Sequence, residues 1–210
     1  HAGLEQPKKA GERIVVRVKS YGVELGRLDL EVDTDRKTSV SSAWKRLPIE
    51  ATALPPAADV ARLVARWEKK VAKAVDVPIG EARREFPEAA VKLLMERAMV
   101  EETGADFAYM NLGGVRGFLP QGRLLARHVW TVMPFDNKVV VGSFKGRDLP
   151  KLVRDGRTID PDRDYTFATS DFVAANQKTQ LGADGLVFPR TGPLQRDAFL
   201  NWIRKQKVLE

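Results

Sequence analysis

The chain has 210 residues and no cysteine, which excludes disulfides, thiol nucleophiles and cysteine-ligated metals. With 43% hydrophobic and 30% charged residues it has the composition of an ordinary folded protein, and no apolar run approaches the ~20 residues that span a bilayer. The net charge of +7 favours anionic partners, but the basic residues are spread along the chain and fit a solvated mixed-charge surface equally well.

Residues 1–50 predict a small antiparallel β meander. The polar residues 1–12 are expected to fray. Apolar and charged side chains alternate over 13–22 and again over 23–33, which is the pattern of half-buried strands. A turn at 34–37 separates the second of these from a further predicted strand at 38–49.

A linker and a helix are predicted next. Residues 50–59 are rich in alanine and proline, and Pro55 and Pro56 cannot lie inside a helix. From Asp59 onward, apolar side chains recur at helical spacing opposite basic ones, until Pro78 ends the pattern. A domain boundary is therefore expected within this region.

From residue 80 onward, helices and strands mix within about 130 residues, a usual domain size. The pattern predicts an α+β domain, preceded by the small β meander and the linker helix. The predicted elements are a helix at 86–102 capped by Gly104, a buried strand at 105–111, a turn with a short helix at 123–135, a strand at 137–146, a short helix at 147–156, a strand at 164–172, a long polar loop at 176–188 and an amphipathic helix at 194–207.

No catalytic constellation can be assembled from the sequence. Of the two histidines, His1 is terminal, and His128 has no second ligand at metal-binding spacing, so a structural or surface role is expected for it. The motifs of zinc proteases, α/β-hydrolases and P-loop proteins do not occur. The sequence therefore predicts neither a metal site nor a catalytic triad in this chain.

A glycine-rich turn is the first candidate binding motif. Gly113 and Gly114 follow the predicted strand 105–111, and Arg116 comes two residues later. Such a loop can bring backbone N–H groups and a guanidinium to an anion, or it can be a tight turn with a surface arginine. For so short a motif taken alone, the simple turn is the more common case.

Two further motifs contain aromatic side chains at the ends of predicted strands. Phe135 and Asn137 stand before one strand, and Phe172 and Asp184 follow another. Singly they fit a core phenylalanine and an Asp-Gly turn. Together with Arg116 they suggest a pocket for a flat, polyhydroxylated and anionic molecule, which is the description of a nucleotide.

These motifs resemble the C-terminal domain of 5′-nucleotidases, the group that includes bacterial UDP-sugar hydrolases and the surface ecto-5′-nucleotidase. The family pattern is roughly A-D-x-A-x-x-N-x-G-G-[IV]-R, followed by P-F-x-N, a strand and a segment D-F-x-x-x-G-G-D-G. The resemblance covers about residues 80–207. The matching positions in this chain are Ala105, Asp106, Asn111, Gly113, Gly114, Val115, Arg116, Gly122, Pro134, Phe135, Asn137, Gly146, Phe172 and Asp184.

The resemblance implies a set of substrate-binding roles. Phe135 and Phe172 would sandwich the base, and Asn137 would contact it. Arg116 would bind phosphate-side oxygens or ribose, and Asp184 would hold the ribose. The remaining implied site residues are Asn111, Gly113 and Gly114, which would line the pocket, and Arg83 and Arg84, which are candidates for arginines that precede the first domain helix.

The resemblance also implies an α+β fold, in which a mixed sheet is flanked by helices, and a domain plan. Residues 1–50 would be the last strands of a truncated metallophosphatase-like domain, 51–79 the linker and connecting helix, and 80–210 the substrate-binding domain. The two divalent metal ions and the catalytic residues of the family would belong to the preceding N-terminal domain, so this chain is expected to hold no cofactor and to be inactive alone. A nucleoside monophosphate or nucleoside would be its ligand. Family habit implies a periplasmic or extracellular location, although no signal peptide is visible.

Two alternatives stay open on the sequence alone. The chain departs from the family pattern at 85–91, where "EFPEAAV" replaces a Gly-Asn pair, and at 176–184, where extra residues precede Asp184. These departures would fit a degenerate, non-catalytic binding or interaction module of the same fold. Sequence-independent nucleic-acid binding through the basic surface is the least favoured possibility.

Overall fold

The computed structural model describes residues 3–11, 13–50, 52 and 54–210. The chain forms two compact units, His1–Ala65 and Arg66–Glu210. Their division falls inside the region 51–79 that was predicted to link two domains. The finer domain limits stay a prediction.

The first unit contains two antiparallel hairpins. β1 (Lys8–Ala10) pairs with β2 (Arg13–Val15), and β3 (Glu24–Asp33) pairs with β4 (Thr38–Pro48). The second hairpin agrees with the predicted strands and their turn. The predicted strand at 13–22 was too long, because only its first three residues pair, and its partner lies in the segment that was expected to fray. Of that segment, residues 1, 2 and 12 lie outside the described part of the chain.

The long helix α1 (Ala58–Val75) follows. It starts one residue before the predicted Asp59, which lies in its first turn. A carboxylate there interacts favourably with the positive end of the helix dipole. The predicted end near Pro78 is correct for the helix. Pro78 itself, however, begins a strand that the sequence pattern did not indicate.

The second unit contains the other helices and strands. Its strands are β5 (Pro78–Ala82), β6 (Phe107–Ala108), β7 (Gly122–Leu125), β8 (Lys138–Lys145), β9 (Asp164–Ser170), β10 (Arg190–Leu194) and β11 (Val208–Leu209). Its helices are α2 (Glu88–Thr103), α3 (Ala126–Val132), α4 (Lys151–Arg154), α5 (Asp171–Ala175), α6 (Gln177–Leu181) and α7 (Gln195–Gln206). Two short 3-10 helices occupy Leu112–Gly114 and Gly146–Asp148.

Both sheets of the second unit are mixed. The larger sheet has the strand order β10-β8-β9-β6, in which β6 runs parallel to β9 while β8 runs antiparallel to both of its neighbours. The smaller sheet has the order β11-β5-β7, with β11 parallel and β7 antiparallel to β5. Mixed sheets with flanking helices confirm the predicted fold class.

Helix α2 shows how closely local sequence determines an element here. Its apolar stripe is buried, as the helical spacing predicted, and the helix ends at Gly104, whose φ of 67° lies in the left-handed region that glycine tolerates. The buried stripe consists of Val91, Leu94, Met95, Ala98 and Met99. It packs in the main core with the buried side of α7, so the predicted helix at 86–102 and the predicted amphipathic helix at 194–207 are both confirmed.

Several short elements escaped the sequence pattern. β11 has two residues, too few to show a period, and β6 covers only two residues of the strand predicted at 105–111. β10 contains Gly192 and Pro193, which are rare in strands, and α6 lies where a long polar loop was predicted. In each case pairing or packing with distant residues outweighs weak local preference.

Asp106 joins the edge strand β6 to its neighbour. Its Oδ2 accepts hydrogen bonds from the Thr166 backbone N–H at 2.8 Å and from the Thr166 hydroxyl at 2.7 Å. The backbone hydrogen bond, followed by the hydroxyl, lowers the pKa of this carboxyl below its ordinary value. Asp106 therefore contributes to sheet assembly rather than to the ligand chemistry.

Asp106→Asn is expected to lower the free energy of unfolding at pH 7 by about 0.5–1.5 kcal/mol, because two hydrogen bonds lose their charged acceptor. Since the folded-state pKa lies below the unfolded one, the carboxylate's contribution is fully present above ~3.9 and is lost as pH falls through the folded value. Urea unfolding of both proteins at pH 7 and about pH 3 measures this. Asp164→Asn, which only breaks a surface ion pair with Lys145, is the control. A gap between wild type and Asp106→Asn that is as large at the acidic pH as at pH 7 would contradict the assignment.

Candidate functional site

Three strand ends meet at one edge of the larger sheet. β8 and β9 are antiparallel with Val139 opposite Ser170, so the residues before β8 and after β9 lie side by side. β6 runs parallel to β9 with Ala108 opposite Ala168, so the chain leaving β6 reaches the same edge. The three predicted binding motifs, far apart in sequence, are brought together by this topology.

A cavity of about 580 Å³ opens at this edge, within the size range of small-molecule sites. It is lined by Tyr109, Asn111, Leu112, Gly113, Gly114, Arg116, Phe135, Asn137, Phe172, Thr179 and Gln180. Most of the residues predicted for a binding site therefore lie around a single cavity. Their individual roles toward a ligand stay predictions.

The glycine pair forms a structured turn in the cavity wall. The Gly114 N–H donates to the Asn111 carbonyl at 3.0 Å, and the Val115 N–H donates to the Leu112 carbonyl at 2.9 Å. A Cβ at position 114 would clash with the Met110 side chain and would lie 3.0 Å from Asn111 Oδ1, so a larger residue would require the buried Met110 to move. Because the Gly114 N–H is used inside the turn, this group does not serve as an anion donor.

Asn111 contributes an acceptor without a partner. The residue is 9% exposed, and its Oδ1 is buried with no hydrogen-bond partner in the described part of the chain. Buried polar atoms are nearly always paired, so an orphan acceptor in a cavity wall needs a reason. A donor on a bound ligand would satisfy it.

Two phenylalanines and an arginine give the cavity its chemical character. Phe135 is half-buried in the loop before β8, and Phe172 is 45% exposed. Phe172 lies in the first turn of α5, which Ser170 caps by accepting the Val173 N–H at 3.1 Å, rather than at the strand end that the sequence predicted. The Arg116 guanidinium lies 5.2 Å from the Phe135 ring centroid, a cation–π geometry.

Three residues that the resemblance suggested for the site are engaged elsewhere. Asp184 forms an ion pair with Lys178 at 2.8 Å. Arg83 pairs with Glu210 at 3.0 Å, and the Arg84 guanidinium lies 4.4 Å from the Phe86 ring centroid. Asp184, Arg83 and Arg84 are not among the residues that line the cavity.

The sequence did not single out four of the lining residues. Thr179 and Gln180 were missed because α6 was predicted as loop, and Leu112 because only the glycines beside it were considered. Tyr109 could have been found, since it stands two residues before Asn111 and alternate residues of an extended segment share a face. Burial, with the nearby Glu96 carboxylate, raises the pKa of the Tyr109 phenol, so it stays a neutral hydrogen-bond donor at physiological pH.

His128 has a local structural contact. Its Nδ1 accepts the Leu125 backbone N–H at 3.1 Å at the start of α3, and burial lowers its pKa below the ordinary value. The residue does not line the cavity. Within residues 3–11, 13–50, 52 and 54–210, no group of three His, Cys, Asp or Glu side chains could hold a metal ion. None of the helices in this described part is long and apolar enough to cross a membrane.

Comparison with known proteins gives consistent matches. Residues 70–155 match the family model described as 5′-nucleotidase, C-terminal domain. The chain is 21% identical to Endonuclease YhcR of Bacillus subtilis, over 91% of this chain and 19% of that protein. It is 23% identical to Protein UshA of Yersinia enterocolitica, over 97% of this chain and 48% of that protein.

The fold is shared with a solved structure of similarly low sequence identity. The crystal structure of the 5′-nucleotidase precursor from Thermus thermophilus superposes with a TM-score of 0.75 at 19% identity, covering 94% of this chain and 50% of that chain. The chain thus spans about half the length, or less, of the relatives it matches. The resemblance predicted from the motifs is confirmed.

Proposed function

We propose that the cavity binds a nucleoside monophosphate or a nucleoside, since residues 70–155 match the 5′-nucleotidase C-terminal domain model. The observation that carries the proposal is the convergence of Phe135, Phe172 and Arg116 on one cavity. Two phenyl rings and a cation match the flat base and the anionic group of such a ligand.

Each group has a chemical task in this proposal. The base stacks on Phe135 and Phe172, which is favourable by about 1–3 kcal/mol per stacked base. The Asn137 amide bonds the base edge through its donor and acceptor, and Arg116, exposed at the rim, binds phosphate or ribose oxygens. Asn111 Oδ1 accepts a hydrogen bond that the protein itself leaves unmade.

In the whole protein, we propose that this unit delivers the ligand to a metallophosphatase domain for hydrolysis. Two divalent metals there would supply metal-activated water, and the cavity residues of this chain would bind and orient the substrate. Two observations support the arrangement: the relatives are about twice as long or longer, and β3 and β4 leave apolar side chains exposed that a neighbouring domain could cover. These are Leu25, Leu30, Val32, Val40 and Leu47. An exported location, periplasmic or extracellular, belongs to the same proposal.

Calorimetric titration of the chain with AMP and adenosine tests the ligand assignment. Arg116→Ala is expected to weaken AMP binding about 10- to 100-fold, because a charge-assisted hydrogen bond contributes about 1.5–3 kcal/mol. Adenosine affinity should change far less if Arg116 faces the phosphate. An equal loss for both ligands assigns the guanidinium to the ribose instead. Arg204→Ala, an exposed arginine of α7 outside the cavity, is the matched control.

Two results would contradict the proposal. If neither AMP nor adenosine binds wild type at millimolar concentration, the cavity is not a nucleotide site and the degenerate interaction module becomes the better interpretation. If the purified chain alone turns over AMP in a metal-dependent way, the division of labour between two domains is wrong. A phosphate-release assay with and without added divalent metal measures the second point.

A further inference from the structure

Arg196 holds the loop that contains Phe135. It is the second residue of α7, and its side chain is only 4% exposed. Its Nη2 donates to Asp136 Oδ1 at 2.6 Å, and its Nη1 donates to the carbonyls of Met133 and Phe135 at 3.4 and 3.3 Å. One guanidinium therefore bonds three residues of the connection between α3 and β8.

Neighbouring contacts fix the orientation of this guanidinium. It lies over the Trp130 ring of α3 with 3.6 Å between the guanidinium carbon and the ring centroid, so the planar group is held flat between a helix and the loop. The preceding residue, Gln195, donates its backbone N–H to the Asn137 carbonyl at 2.8 Å. The first two residues of α7 thus hold both ends of the loop segment that contains Phe135 and Asn137.

The position of Arg196 is unfavourable for the helix itself. The first turn of a helix carries partial positive charge, so a cation there is disfavoured. Its Nε is also buried without a hydrogen-bond partner in the described part of the chain. Asp136 is 78% exposed, and such an ion pair contributes little to stability on its own. Arg196 does, however, hydrogen-bond to three residues of a connection that has no regular secondary structure between Val132 and Lys138.

We propose that Arg196 is a positioning residue for the cavity, which holds the 133–137 loop so that Phe135 and Asn137 face the ligand before it binds. The inference rests on the proposed function for its effect on nucleosides. A loop already held in its bound conformation loses less conformational freedom on binding. Affinity should therefore fall when the contacts of Arg196 with the loop are removed. A planar fork is needed, because an ammonium group cannot reach two carbonyls and a carboxylate while lying flat on an indole.

The test compares Arg196→Lys with wild type in two measurements on the whole chain. Calorimetry should show adenosine binding about 5- to 20-fold weaker, and amide relaxation by NMR should show lower order parameters at Phe135, Asp136 and Asn137 but not in β8. Arg190→Lys is the matched control, since the Arg190 guanidinium also donates to a backbone carbonyl, that of Thr103 at 2.8 Å, but does not line the cavity. It should leave both measurements within twofold of wild type.

The two measurements test the positioning role of Arg196 and the ligand assignment separately. If wild type binds adenosine and Arg196→Lys binds it equally well with unchanged loop order, the positioning role is refuted. If wild type binds no nucleoside, the proposed function fails, and the order parameters alone decide whether Arg196 holds the loop. Should Arg196→Lys not fold, Asp136→Asn at the exposed end of the pair replaces it. Unchanged loop order and affinity in that variant would overturn the proposal.

Discussion

Replacing Phe135 and Phe172 together by alanine is expected to abolish measurable adenosine binding. Each stacked aromatic contributes about 1–3 kcal/mol, so removing both costs about 2–6 kcal/mol, or roughly 30-fold to more than 10,000-fold in affinity. The double variant loses the stacking contacts on both faces of the base. In the described part of the chain, Tyr109 is the one other aromatic residue that lines the cavity. Calorimetry or ligand-observed NMR detects the loss.

The double variant should remain folded, because neither ring is fully buried. Phe118→Ala provides the matched control: Phe118 is likewise an exposed phenylalanine, but it does not line the cavity. The single variants should each lie between wild type and the double variant. If adenosine binds the double variant as tightly as wild type, the base does not stack between these rings and the site must be sought elsewhere.

Phe167→Ala is expected to lower the free energy of unfolding of the Arg66–Glu210 unit by about 3–5 kcal/mol, the usual cost of emptying a buried phenylalanine site. Phe167 is 0% exposed and lies in β9, opposite Gly142 of β8 and Phe107 of β6. Its ring contacts Phe188 at 5.8 Å between ring centroids. The loss would remove a large part of the 5–15 kcal/mol that stabilises a typical domain.

Chemical denaturation followed by circular dichroism measures this change. Phe167→Leu keeps most of the side-chain volume, so it should lower the free energy of unfolding by less than about 1.5 kcal/mol beyond the lost ring contacts. The two variants together separate the cost of an empty space in the core from the loss of aromatic packing. At temperatures where Phe167→Ala is still folded, the variant should bind adenosine much as wild type does, since Phe167 does not line the candidate ligand site. A destabilisation below 1 kcal/mol would mean that this part of the core repacks freely.

Sequence reasoning worked best where an element is long and has one buried face. The buried stripes of α2 and α7 recur over twelve or more residues, so local pattern and final packing agree there. It failed where an element exists only because a distant strand pairs with it. β11 is such a case: its two residues are a strand because β5, far earlier in the chain, accepts them as a parallel neighbour.

The site followed the same division. The glycine pair and Phe135 could be found because turn chemistry and a family motif mark them locally. A pocket formed by these motifs was predicted, but its lining by Tyr109, Thr179 and Gln180 was not, since that lining depends on the parallel register of β6 against β9 and on the helix α6. Arg196 was also beyond reach, because nothing in the α7 sequence says that an arginine in its first turn points to a loop some sixty residues earlier.

Because three strand ends meet at one sheet edge, the chain can bind a ligand in the cavity only after the sheet has assembled. The walls of the cavity come from segments around residues 109–116, 135–137 and 172–180, which are neighbours only after β9 has paired with both β8 and β6. These pairings join distant parts of the chain, so no short fragment should contain the cavity. A ligand that recognises only the finished cavity shifts the folding equilibrium of the entire sheet toward the native state. Because the walls are loops and short helices at the sheet margin, ligand preference can also drift during evolution while the sheet stays unchanged.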